Sequence, residues 1–110
     1  MIHGNTRAEI QIRTINDNVI GEQEKKWETI ETLFGWLDKM DGESRYTSYD
    51  SKIQESTHVF LADYRGLDKR IKAENSRVVI AGYVYDIMLI DDPMEMHRQL
   101  EIYLKYTGGQ

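Results

Sequence analysis

Asp91, Asp92, Glu95 and His97 lie close together in the sequence and form its tightest group of metal-capable donors. A zinc-like ion needs several converging donors, commonly with a second histidine, and no other histidine stands near His97. Asp91 and Asp92 precede Pro93 and read instead as turn residues, with His97 as a surface side chain. His3 and His58 have no serine or cysteine context that would mark a nucleophile and its base, and the glycines are too scattered to cradle a phosphate. The chain has no cysteine, so thiolate chemistry, disulfides and Cys-type zinc sites are excluded. The sequence therefore predicts no enzyme, no metal and no cofactor.

Binding chemistry is what remains. The 110 residues carry 14 Lys plus Arg against 19 Asp plus Glu, a formal charge of -5. A protein that grips nucleic acid through a basic surface needs clustered cations, which this balance argues against. Arg65, Lys69, Arg70, Lys72 and Arg77 make the most basic stretch, but Asp63, Asp68 and Glu74 interrupt it, as on a solvated loop and strand face. Trp27, Trp36, Phe60, Tyr64, Tyr83, Tyr85, Tyr103 and Tyr106 fall on expected strands, where core packing or subunit contact is the ordinary role. A stacking platform for single-stranded nucleic acid is the rival use of exposed Trp and Tyr beside cations. Tyr46 and Tyr49 differ, because they sit with Arg45 and Lys52 in a polar segment and resemble interface anchors.

The elements that must position these groups are strands. Ala8, Ile10 and Ile12 alternate with Glu9, Gln11 and Arg13, predicting a strand from about Arg7 to Ile15 that ends in the turn-forming Asn16-Asp17-Asn18. Lys25 to Met40 fits helical and strand spacing alike; Gly35, Thr29 and Thr32 favour the strand. The segment from Asp41 to Gln54 is polar and without period, the kind of long loop that in a small domain is often functional. Thr57 to Tyr64 reads as a strand, and Arg65-Gly66-Leu67-Asp68 as a turn. Arg77 to Ile80 and Tyr83 to Ile90 flank Ala81-Gly82, which is the strongest hairpin signal in the chain. Both faces of Tyr83 to Ile90 are apolar apart from Asp86, so one is expected to face the interior and the other a neighbouring subunit. Asp91-Asp92-Pro93 stops that strand, Met94 to Arg98 forms a loop or helical turn, and a last strand runs to Tyr106.

About six strands, one long polar loop and at most short helical turns predict a mainly β chain: a single small antiparallel barrel over 1–110, with flexible ends at 1–6 and 107–110. The start lacks the apolar core of a signal peptide and the longest apolar run, Val78 to Ile90, is broken by Gly82 and Asp86, so no membrane segment and a cytoplasm-like setting are expected.

The order of these features, Trp27 opening the second strand, Asp41-Gly42-Glu43 ending it, the polar excursion, Thr57-His58-Val59-Phe60-Leu61, Arg65, Asp68-Lys69-Arg70-Ile71, Val79 to Ile87 and Leu100-Glu101-Ile102-Tyr103-Leu104, resembles the head-closure (head-completion, or stopper) proteins of long-tailed phages and prophage-like elements. Most of the similarity falls on Arg70 to Ile87. The resemblance implies a virion subunit, made in the host cytoplasm, that forms a ring on the portal and adaptor proteins of the capsid vertex. The ring closes the DNA channel after packaging and offers a surface to a tail terminator or joining protein, while DNA passes without specific binding. Carried over by position, Asp41 to Gln54 is the plug loop, bringing Asp41, Glu43, Arg45, Tyr46, Tyr49 and Lys52 to the channel. Strand edges and the Asp91 to Arg98 loop face neighbouring rings, with Arg65, Arg70, Asp92 and His97 as contact candidates. The polar, tyrosine-bearing loop departs from an apolar plug. A tail-side joining or terminator protein is the structural alternative.

Overall fold

The computed structural model describes residues 4–17, 23–40 and 55–109. Among them, six strands form one antiparallel sheet: β1 (Thr6–Asp17), β2 (Gln23–Lys39), β3 (His58–Asp63), β4 (Ser76–Ile80), β5 (Tyr83–Asp91) and β6 (Gln99–Gly109). Their order, β1-β2-β3-β6-β5-β4, closes on itself because β4 pairs back with β1. Two short 3-10 turns, Ala73–Asn75 and Pro93–Glu95, lie in the connections.

The interior follows from period-2 alternation. Ala8 and Ile10 of β1, Leu33 of β2, Phe60 and Ala62 of β3, Val78 and Ile80 of β4, Tyr85 and Ile87 of β5, and Leu100, Ile102 and Leu104 of β6 converge in one buried cluster. Lys25 to Met40, which fits two periods in sequence, is strand, and Gly35 shows why. It is buried, and a Cβ there would run into the Leu61 carbonyl and the ring of Phe60, so the bare backbone lets β2 close on β3. Helical spacing would have put Phe34 inside with Leu33 and Leu37; strand alternation turns Phe34 and Trp36 outward, both half or more exposed.

Ala81 (φ 52°) and Gly82 (φ 81°) join β4 to β5 with left-handed backbone at both central positions, the two-residue hairpin the sequence announces. Two boundaries and one burial pattern differ from expectation. The turn expected at Arg65 to Asp68 falls later, where the Ile71 N–H meets the Asp68 carbonyl at 3.1 Å, because Asp68 accepts from the Arg70 N–H and folds the chain there. The last strand continues past Tyr106, pairing Gly108 with Val84 and Gly109 with Tyr83, and the register shift there is absorbed at Gly108 (φ 135°). Burial on both faces falls on β3 and β6, where Val59 and Tyr103 are buried behind Phe60, Ile102 and Leu104, whereas the outer face of β5 leaves Asp86 exposed and its inward-facing first residue, Tyr83, is exposed at the rim.

The strand directions give the closed sheet two ends. The lower end holds the start of β1, the end of β2, the start of β3, the β4–β5 turn and the end of β6. The upper end holds the β3–β4 and β5–β6 connections, and above it β1 and β2 run on as a two-stranded ribbon from Arg13↔Trp27 to Asp17↔Gln23. The molecule measures 51 × 27 × 25 Å.

Candidate virion interface

The candidates Arg65, Arg70, Asp92 and His97 all gather at the upper end. Arg65 follows β3, and its Nη2 reaches Glu31 Oε2 at 3.0 Å. Glu31 pairs with Ile10, so its side chain stands at the mouth of the interior and is mostly covered. The chain after Arg65 then lays Leu67, Ile71 and Ala73 against the core cluster. This connection seals the upper mouth with apolar side chains and places an ion pair at its rim.

Arg70 is held by Asp68: Nε and Nη2 donate to its two carboxylate oxygens at 3.0 and 2.9 Å, and the Arg70 N–H donates at 2.9 Å. That hydrogen bonding holds the Asp68 carboxyl down at about 2. Asp92 closes the β5–β6 loop in the same way, accepting the His97 N–H at 2.9 Å and facing His97 Nδ1 at 2.6 Å. The Tyr64 ring lies against the His97 ring, 4.5 Å between centroids, and the Tyr64 N–H donates to the Arg98 carbonyl at 3.2 Å. Within this loop Met94, Glu95 and His97 all have φ near +55°, a conformation that non-glycine residues adopt at a cost. The strain presents Met94, 87% exposed, and Met96 to solvent. Each charged candidate at this end is thus engaged by its own chain, and what the end offers outward is the Met94, Met96 and Tyr64 surface.

The lower end is aromatic. His58, Tyr85, Tyr106 and Tyr83 form a chain of ring contacts, at 5.2 Å from His58 to Tyr85, 5.6 Å from Tyr85 to Tyr106 and 5.9 Å from Tyr106 to Tyr83. Tyr85 is buried, and burial first, then its tyrosine neighbours, push its hydroxyl pKa up; Tyr83 and Tyr106 are about half exposed. Thr57 Oγ1 accepts the Tyr106 N–H at 2.8 Å, donates to the Leu104 carbonyl at 3.4 Å and stands 2.8 Å from His58 Nδ1. A neutral His58 fits that geometry, and burial followed by the Lys39 charge lowers its pKa. The chain leaves the sheet at this end, and the Met40 N–H donating to the Thr57 carbonyl at 2.8 Å clasps the two limbs of the excursion. Asp41, Glu43, Arg45, Tyr46, Tyr49 and Lys52 lie beyond that clasp, outside the described residues.

Sequence reasoning named Arg77, Trp27 and Trp36 but did not place them in the two outer-face groups that they form. Arg77 donates from Nε to Gln11 Oε1 at 2.8 Å and lays its guanidinium 4.2 Å from the centre of the Trp27 ring. Phe34 and Trp36 stand on β2 beside Leu61 of β3. The signal for the second group was the parity of Gly35: once Leu33, Gly35 and Leu37 point inward, their neighbours must point out. Among the described residues no group of His, Asp and Glu is arranged to hold a metal ion.

Comparison with known proteins follows the fold. A chain in the virion of a native gene transfer agent particle shares it, with a TM-score of 0.61 and 9% identity over 99% of this chain and 100% of that one. No curated protein sequence matches. The sequence model for phage head completion proteins matches residues 2–105, nearly the whole chain, and the protein belongs to that family.

Proposed function

We propose that the closed sheet is a small β-barrel connector subunit, assembling as a ring below the portal and adaptor at the capsid vertex, closing the DNA channel after packaging and offering the surface to which a tail terminator or joining protein binds. The family match over 2–105 carries this reading. The two differently built ends support it, since a subunit placed between two partners needs two distinct surfaces. In this reading the upper end, with Met94, Met96 and Tyr64 on a loop fixed by Asp92, His97, Arg65 and Arg70, packs on an adjoining ring. The segment with Asp41, Glu43, Arg45, Tyr46, Tyr49 and Lys52 leaves from the lower end and enters the channel.

The charge balance suits that place. Carboxylates near the lumen repel phosphates within a Debye length of about 8 Å at physiological salt, so DNA passes without adhering. Assembly in the host cytoplasm and residence at the head-tail junction follow from the same reading. The test is particle assembly without this chain: heads are expected to package DNA, lose it and remain tailless. Deleting Glu43 to Lys52 separates the roles, since tails should still join while DNA leaks. Retained DNA in that variant would remove the plug assignment and leave the connector assignment standing.

A further inference from the structure

The outer wall near the lower end carries a ridge and a cleft. Phe34 and Trp36, alternate residues of β2 and both half or more exposed, stand on the outer face with Leu61 of β3 across from Trp36. Single exposed apolar side chains are ordinary, but a contiguous group of them marks a contact surface. The cleft opens where β1 runs past the end of β4. Glu9 is the first β1 residue paired with β4, so Thr6 and Arg7 overhang the Ala81-Gly82 turn and enclose with it a volume of about 440 Å³. Val79, which points out of the barrel yet is buried, forms the floor with Ile80 and Ala81. Arg7 and Glu9, paired at 3.1 Å, form the rim.

We infer that the ridge of one copy seats in the cleft of the next, with the Trp36 indole on the apolar floor between Arg7 and Glu9; this rests on the ring reading above. Level is the first argument. Arg7 of the cleft is the cross-strand partner of Phe34 on the ridge, so the two features are neighbours across one strand spacing of about 5 Å and stand at nearly one height, as copies sharing a ring axis require. Chemistry is the second argument. An indole face is attracted to a guanidinium and its N–H donates to a carboxylate, and the rim offers one of each. The same wall already seats a tryptophan against an arginine within one chain, Arg77 over Trp27 at 4.2 Å. The Arg7–Glu9 pair lies at the surface, where such pairs hold weakly, so it can part to admit the ring. Ridge and cleft are different patches on different strands, which makes the contact head-to-tail and able to close by rotation.

Photo-crosslinking in assembled particles tests the seating. Phe34 is replaced in the full-length chain by p-benzoylphenylalanine, an aromatic probe on an exposed position that leaves Trp36 in place. After irradiation the crosslinked dimer of this chain is digested and its attachment point mapped by mass spectrometry. The attachment in the second copy is expected within 6–9 or 79–82. Adding Trp36→Ala is expected to cut the dimer yield about tenfold or more, as loss of a buried tryptophan anchor does. An undiminished dimer would overturn the seating of the indole. Attachment near Phe34, Trp36 or Leu61 of the second copy would overturn it too, because that contact joins like ridges. So would a crosslink to a different virion chain, which makes the ridge another partner's surface, or several copies per particle with no dimer. A single copy per particle would remove the ring reading itself, and the seating with it.

Discussion

The two ends of the closed sheet solve the same problem with different chemistry. Both must keep water from the buried cluster of Phe60, Ile10, Ile102 and Leu104. The upper end does so with its own chain, through Leu67 and Ile71 as a lid and Arg65 paired to Glu31 at the rim. The lower end shows rings of graded exposure, from buried Tyr85 to half-exposed Tyr106 and Tyr83, with a half-buried histidine among them. An apolar lid closes its mouth without a partner, and contact at that end falls to the neighbouring Met94, Met96 and Tyr64 loop. An aromatic rim with polar tips keeps surface in reserve for contact, because Tyr buries large area while its hydroxyl remains wet. Within one sheet, then, one mouth is finished by its own chain, with the Met94, Met96 and Tyr64 surface beside it, and the other keeps its rings partly open.

The largest expected effect breaks the finished end. Replacing both Leu67 and Ile71 by Ala removes apolar side chains that are half-buried against the core, so the loss should be near the low end for large-to-small core changes, about 2–4 kcal/mol for the pair. Urea unfolding measures it directly. Tyr83→Ala at the other end, on a side chain half exposed, should cost under about 1 kcal/mol. Equal losses at the two ends would erase the contrast.

The next effect sharpens the lower end through pH. Burial lowers the His58 pKa below its ordinary 6.5, so the unfolded chain takes up the proton first as pH falls. Stability from this group is fully present above about 6.5 and declines as pH drops from there toward the lowered folded value. His58→Gln should flatten that part of the stability profile, read by thermal unfolding across pH 5 to 8. If the slope is unchanged in the variant, His58 is not the group that senses protons at this end.

How far the sequence reveals these ends depends on how local the information is. The strands, Gly35 and the Ala81-Gly82 hairpin are legible because alternation and left-handed turns are properties of neighbouring residues. Asp92 as a turn residue and His97 as a surface side chain are legible for the same reason, although their pairing is not. The role of Arg65 is not, since its partner Glu31 stands far away in sequence and is brought near only when β3 ends at Asp63 and the chain crosses the mouth. The outward turn of Phe34 and Trp36 follows once the parity of Gly35 is fixed, but the stack of Arg77 on Trp27 needs the register of β1 against β2 and β4, which a bulge shifts. Nor does composition reveal the strain at Met94, Glu95 and His97, because positive φ in residues other than glycine is imposed by the closure of the loop around Asp92.

The smallest effect concerns a charge that looks prominent at the upper end and should matter least. Asp68 accepts three hydrogen bonds from Arg70, and its pKa falls from 3.8 to about 2. A depressed carboxyl contributes stability that is present above its unfolded value and is lost as pH falls through the folded one, so any effect is confined to the window from about 3.8 down to about 2. Because the pair is solvent-exposed and screened, Asp68→Asn should leave stability at neutral pH nearly unchanged and flatten the profile only in that acidic window. Thermal unfolding from pH 2 to 5 would show it. A marked loss at pH 7 would mean that the Asp68–Arg70 clamp holds the lid in place, and that the upper end is sealed by charge as much as by Leu67 and Ile71.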